Sequence, residues 1–132
     1  MTVKIVIDAM GGDNAPAVEV EGALQAIGEY DCEIILVGDQ TRINEMLNKH
    51  GGKPDRITVK HASETIDMNE PAALSVRRKR NSSIVVGLEL LKHNEADAFV
   101  SAGNTGAVVC AATLSLRLLP GIERPGIAVI IP

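Results

Sequence analysis

Apolar residues along this chain fall into short unbroken runs, separated by stretches where they recur every three or four positions. The run "VKIVID", Val3–Asp8, is rich in β-branched residues and stops at two glycines, which predicts a strand. Val20, Ala23, Leu24 and Ile27 then keep the i, i+3, i+4, i+7 spacing of one helix face. Pro16 suits the first turn of that helix and Asp13 or Asn14 its N-cap, with an end expected near Gly28–Asp31. "EIILVGD", Glu33–Asp39, is apolar almost throughout, as in a strand covered on both faces. A helix from Thr41 to His50 follows, apolar at Ile43, Met46 and Leu47, and "GGKPD" breaks it. Ile57–Lys60 reads as a third strand, and His61–Pro71 as a polar, irregular segment.

A short helix is expected after Pro71, running into the basic run Arg77–Arg80. "NSS" then caps a helix over Ser83–Asn94, apolar at Ile84, Val85, Leu88 and Leu91 and also at Val86 and Leu90, a coverage that implies deep burial. Ala98–Ser101 is a short strand, Thr105–Leu119 a helix of small residues, and Ile127–Ile131 a last apolar strand. Strands that alternate with helices and are apolar throughout predict an α/β domain, a mainly parallel sheet with helices on both faces. Such sheets bind ligands beyond the carboxyl ends of their strands. Residues 1–132 read as one unit without repeats, and the stop on an apolar strand suggests a piece of a longer protein.

Composition narrows the function. With 132 residues the chain can bury a core, and 45% hydrophobic with 23% charged residues describes a soluble globular protein. A net charge of −4 argues against nucleic acid as partner, and aromatic residues at 2%, Tyr30 and Phe99, leave no base-stacking platform. Cys32 and Cys110 fit no metal or redox spacing and read as reduced thiols. His50, His61 and His93 have no mutual ligand spacing, so no metal site is expected. The start carries no signal-peptide pattern, from which a cytoplasmic location is expected, with peripheral attachment to a membrane left open.

Three polar segments lie at element junctions. "DAMGGDNAP", Asp8–Pro16, is neither a dinucleotide fingerprint nor a P-loop. Gly11 and Gly12 can bring backbone N–H groups to an anion, or merely turn the chain ahead of a capped helix. "SAGNTGA", Ser101–Ala107, offers neutral donors at Ser101, Asn104 and Thr105 and accessible backbone at Gly103 and Gly106. That set suits an oxyanion or phosphate better than a metal, while a capped, tightly packed helix start is the plainer alternative. "RRKRNSS", Arg77–Ser83, feeds cations into a Ser-capped helix start; it can grip phosphate, meet an acidic partner or anionic lipid, or be a solvated face. Glu64, Asp67 and Glu70 read as an acidic surface patch, and no covalent-hydrolase motif is present.

Taken in order, "IDAMGGDNAP" (Ile7–Pro16), "VRRKRNSS" (Val76–Ser83) and "SAGNTGA" (Ser101–Ala107) strongly resemble the bacterial phosphate acyltransferases of the PlsX type. "LVGD" at Leu36–Asp39, "HASETI" at His61–Ile66 and the closing "GIERPGIAVIIP" extend the resemblance over essentially the whole chain, which is similar to less than half of such a protein. The resemblance implies a three-layer α/β sandwich akin to the phosphotransacetylase and isopropylmalate dehydrogenase group. It also implies formation of acyl phosphate from long-chain acyl-acyl carrier protein and inorganic phosphate, for phospholipid synthesis, without a cofactor. A homodimer touching the membrane through parts absent from this chain is implied as well. On that basis Lys79, Ser82 and Ser83 are expected to hold phosphate, and Asn104, Thr105, Ser101 and the Gly103 and Gly106 backbone to donate to oxyanion or phosphate. Asp8, Gly11, Gly12, Asp13 and Asn14 would order the first loop against the substrate.

Overall fold

The computed structural model describes residues 1–131. Four parallel strands lie in the order β3-β2-β1-β4: β1 (Val3–Asp8), β2 (Cys32–Gly38), β3 (Ile57–His61) and β4 (Ala98–Val100). The register pairs Ile5 with Ile34 and Ile7 with Leu36 on one side, and Val6 with Phe99 on the other. The chain works outward from β1 through β2 to β3 and then returns to the opposite side for β4. The carboxyl ends of β1 and β4 therefore flank the point where the connections diverge, which is where open α/β sheets form a crevice.

The two-residue period of β2 sorts its side chains between layers. Cys32, Ile34 and Leu36 pack with Val20, Ala23, Ile27, Ile43 and Leu47, so α1 (Ala17–Glu29) and α2 (Gln40–Lys49) cover one face. Ile35 and Val37 turn to the other face, where Val86, Leu90 and Leu91 of α4 (Ser83–Lys92) meet Val6 and Phe99. Helix α5 (Thr105–Leu116) packs against both α4 and α3 (Ala72–Arg78), around Val76, Ile84, Leu88, Ala107 and Ala111. Helices thus cover both faces of a parallel sheet.

Several boundaries differ from the sequence reading. Pro16 stands at the N-cap position of α1, not inside its first turn, and Asp13 and Asn14 lie in the turns before it, so neither side chain caps the helix. Asp39 does not end β2 but caps α2, accepting from the N–H groups of Thr41 and Arg42 at 3.0 and 3.2 Å. Arg117, with φ of 66°, stops α5 three residues before Leu119. Ile127–Ile131 is not a strand: it finds no neighbouring ladder, and its side chains are exposed.

Candidate functional site

β1 delivers a carboxyl group into the interior at the mouth of the sheet. Asp8 is 1% exposed; its Oδ1 accepts from the Met10 N–H at 3.1 Å and its Oδ2 from the Ser101 hydroxyl at 2.8 Å. Ser101 Oγ accepts in turn from the Gly103 N–H at 3.0 Å, so one acid ties together the loops that leave β1 and β4. Burying that acid is tolerable because donors meet it on both oxygens. The two loops touch where neither has a side chain: a Cβ on Gly11 would stand 2.8 Å from the Gly103 nitrogen and 2.5 Å from Asp8 Oδ2. The Gly12 N–H donates to Glu19 Oε1 at 3.0 Å. Asp13 and Asn14 are exposed.

A second wall comes from the segment read as irregular. The Glu64 N–H donates to the Asn81 carbonyl, and the Ser83 N–H donates to the Glu64 carbonyl, both at 3.1 Å, stitching the segment to the start of α4. Lys79 Nζ donates to the Thr65 carbonyl at 2.7 Å and to Glu70 Oε1. Glu70 also accepts from the Asp67 N–H at 3.0 Å and the Ser75 hydroxyl at 2.8 Å. The Asp67 N–H, then the Lys79 ammonium and the Ser75 hydroxyl, hold its carboxyl at about 2, well below the usual carboxylate range. Asn104 Nδ2 lies 3.1 to 3.3 Å from the carbonyls of Asp67, Met68 and Glu70, while its Oδ1 accepts from the Ala107 N–H at 3.0 Å. One side chain therefore caps α5 and pins the neighbouring loop.

Between the walls lies an open cleft of about 540 Å³, bordered by Met10–Asp13 on one side and Thr65–Glu70 on the other. Gly11, Gly12 and Asp13 line it, and Asn14 borders an adjoining recess of about 290 Å³ with Glu19, Met68 and Ala102. Lys79 and Asn104 stand behind the second wall and have their polar atoms engaged in building it. Ser101 and Gly103 sit in the seam between β1 and β4. Thr105 and Gly106 are exposed on the first turn of α5, where helix geometry leaves N–H groups without an intrahelical acceptor.

Ser82 and Ser83 depart most from expectation. They are 0% and 1% exposed, and the Ser82 hydroxyl accepts from the Val85 N–H at 3.4 Å as the cap of α4. The structure places both serines in the packed interior. Glu70 is the reverse case. Its place in an acidic run suggested surface, whereas the fold makes it the hub of the second wall. Glu19 is a site residue that the sequence reading lacks; the signal for it is its place three residues after the N-cap position, from which a glutamate reaches back across the helix start. Among the described residues no group of three or more His, Cys, Asp or Glu side chains is placed to hold a metal ion.

The comparisons with known proteins agree with this architecture. The chain is 52% identical over 130 residues to a phosphate acyltransferase of Geotalea daltonii, covering 98% of this chain and 38% of that protein. It is 50% identical over 134 residues to a phosphate acyltransferase of Koribacter versatilis, covering 100% of this chain and 37% of that one. The chain thus spans under two fifths of the length of these curated relatives. A crystal structure of a phosphotransacetylase from Streptococcus pyogenes superimposes with a TM-score of 0.65 at 24% identity, over 93% of this chain and 40% of that one, a likeness of fold. The sequence profile described as fatty acid synthesis protein matches residues 3–132, and the chain belongs to that family.

Proposed function

We propose that this chain builds the phosphate-side wall of an acyltransferase site that forms acyl phosphate from a long-chain acyl-acyl carrier protein and inorganic phosphate. The observation that carries the reading is a cleft between the Met10–Asp13 loop and the Thr65–Glu70 segment beyond the carboxyl ends of parallel strands, with Gly103 of the second glycine loop packed against Gly11. The names of the relatives at 52% and 50% identity support it. A phosphate oxygen attacks the thioester carbonyl, the tetrahedral oxyanion collapses, the C–S bond breaks, and the thiolate leaves and takes up a proton. Phosphate is its own nucleophile, so the protein's task is to hold it in line and to stabilise the oxyanion.

We assign donation to the Gly11 backbone, which borders the cleft, and to the Thr105 and Gly106 N–H groups and the Thr105 hydroxyl, which are exposed at the start of α5. Lys79 and Asn104 act as positioning residues for the wall that faces them. Three carboxylates, Asp13, Asp67 and Glu70, border the cleft, and Lys79 offsets one of them. In the whole protein we expect a homodimer in peripheral contact with membrane, its product serving as acyl donor to glycerol 3-phosphate in phospholipid synthesis.

A phosphotransacetylase-like reaction with acyl-coenzyme A is the second reading, favoured by the fold likeness. Incubating a chain of the relatives' full length with phosphate and each thioester separates the two. Hydroxylamine trapping reports acyl phosphate and thiol release reports turnover. Preference for the carrier-protein thioester is expected; preference for the coenzyme A thioester selects the second reading, and product from neither overturns both. The 132-residue chain run alongside shows whether it is a binding fragment without turnover.

A further inference from the structure

The basic run Arg77–Arg80 is split by the fold. Lys79 turns inward to the Thr65 carbonyl and to Glu70, both part of the cleft wall. Arg77, Arg78 and Arg80 stay exposed, and among the described residues none of them forms a salt bridge. The single recorded side-chain bond of the three is local, from Arg80 Nε to the Arg77 carbonyl at 3.2 Å. Leu74, also exposed, precedes Arg77 and Arg78 by three and four residues and so shares their face of α3. A chain of net charge −4 therefore presents three exposed guanidinium groups without an ion pair, Arg77 and Arg78 beside Leu74 on α3 and Arg80 bonded to the Arg77 carbonyl just beyond it, next to Lys79 at the rim of the cleft.

We infer that this face of α3 is the docking surface for an acidic partner protein that brings the acyl thioester to the cleft. Placing the thioester on a carrier protein rests on the function proposed above; the charge and exposure of the face do not. Guanidinium forks match carboxylate pairs, and charge complementarity of this kind raises encounter rates and fixes register. A lipid surface is the poorer fit. Recognition of anionic headgroups draws on clusters of roughly four to eight basic residues, whereas here Lys79 is withdrawn and three remain. Leu74 offers the small apolar contact that an amphipathic partner helix accepts, and its place beside the arginines keeps the partner near the Thr65–Glu70 wall.

The test is fluorescence anisotropy of a labelled acyl carrier protein, a small and strongly acidic probe, titrated with the chain across a range of salt. The wild-type affinity should fall steeply with salt, and the triple variant R77A/R78A/R80A should bind about tenfold or more weakly at low salt. The R77K/R78K/R80K variant keeps the charge and should retain most of the affinity, which separates docking from a folding defect visible by circular dichroism. Equal affinity of the alanine variant, or wild-type binding indifferent to salt, overturns the inference. So does arginine-dependent binding to phosphatidylglycerol vesicles without binding to the acidic protein. If the full-length protein yields no acyl phosphate while salt-sensitive docking persists, the enzymatic reading fails and the docking surface stands. If acyl phosphate forms equally well in both variants with unchanged KM for the carrier thioester, the docking surface fails and the enzymatic reading stands.

Discussion

A methyl group added at Gly11 meets a different neighbour from one added at Gly12. At Gly11 it falls 2.8 Å from the Gly103 nitrogen and 3.0 Å from its Cα, backbone that moves only if the seam between β1 and β4 opens. At Gly12 it meets the tip of the Glu19 side chain, which can swing aside at the cost of one hydrogen bond. Gly11→Ala should thus destabilise by about 1–3 kcal/mol and Gly12→Ala by roughly 1 kcal/mol, compared by urea denaturation. Asn104→Ala loses a helix cap, worth about 1 kcal/mol, together with the bonds that hold the Asp67–Glu70 loop. Asn104→Asp keeps the acceptor for the Ala107 N–H but turns a charged oxygen on those carbonyls, so its stability deficit reads the lost loop anchor together with that repulsion and leaves the cap in place. Glu70 supplies a pH dependence. Its carboxyl is lowered from 4.5 to about 2 in the folded protein, so its stabilisation is complete above the unfolded value and fades as pH falls from 4.5 towards 2. The stability gap between wild type and Glu70→Gln should therefore shrink over that interval, measured by denaturation at pH 6 and near pH 2. Asp8 could be read in advance as an organiser of the first loop because an acid closing an apolar strand must find donors. The Lys79–Glu70 pair could not, since it depends on a loop folding back onto a helix end and leaves no periodic trace.

Helix α4 shows how an element can be legible while its closest contact is not. The apolar coverage of Ile84, Val85, Leu88 and Leu90 announced a buried helix, and it lies against the sheet and α5. Gly87 within it goes against helix propensity, since glycine in a helix interior costs about 1 kcal/mol relative to alanine. The structure gives the reason: a Cβ there would stand 2.4 Å from Phe99 Cε2 and 3.2 Å from Val6 Cγ1. Gly87→Ala should then destabilise by about 1–3 kcal/mol despite the better propensity. Gly22 in α1 is the control, with nothing within 4 Å of its Cβ position. Gly22→Ala should stabilise by about 0.5–1 kcal/mol, and opposite shifts of the two denaturation midpoints are the expected result. Strands and helices were readable from period and punctuation, and parallel pairing from strands apolar throughout. The order β3-β2-β1-β4 was not, because periodicity carries no information on which neighbour a strand selects. Ile127–Ile131 marks the same boundary: its composition is that of a strand, but a strand exists only beside a partner.

For the whole molecule the uneven distribution of exposed apolar surface matters more than its total. The face under α1 and α2 is well covered, with Ile34, Leu36, Ile43 and Leu47 at most 1% exposed. The region of α5 and the residues after it is not. Leu114, Leu116, Leu119, Ile127 and Val129 are exposed, Ile130 reaches 96%, and Val109, Ala112 and Leu116 border a groove of about 240 Å³ with Pro125 and Gly126. Contiguous apolar surface of this kind marks an interaction site, and a net charge of −4 on 132 residues opposes self-contact only weakly. The 132-residue chain should therefore associate with itself as concentration rises, seen by sedimentation velocity as a rising weight-average mass. Leu114→Lys with Ile130→Lys places charge on that face without touching the core, and should restore a monomer while leaving the thermal midpoint unchanged. A chain of the relatives' length gives the decisive comparison: if its additional residues cover α5, the same double substitution there should lower stability, since a lysine forced under that cover must be desolvated.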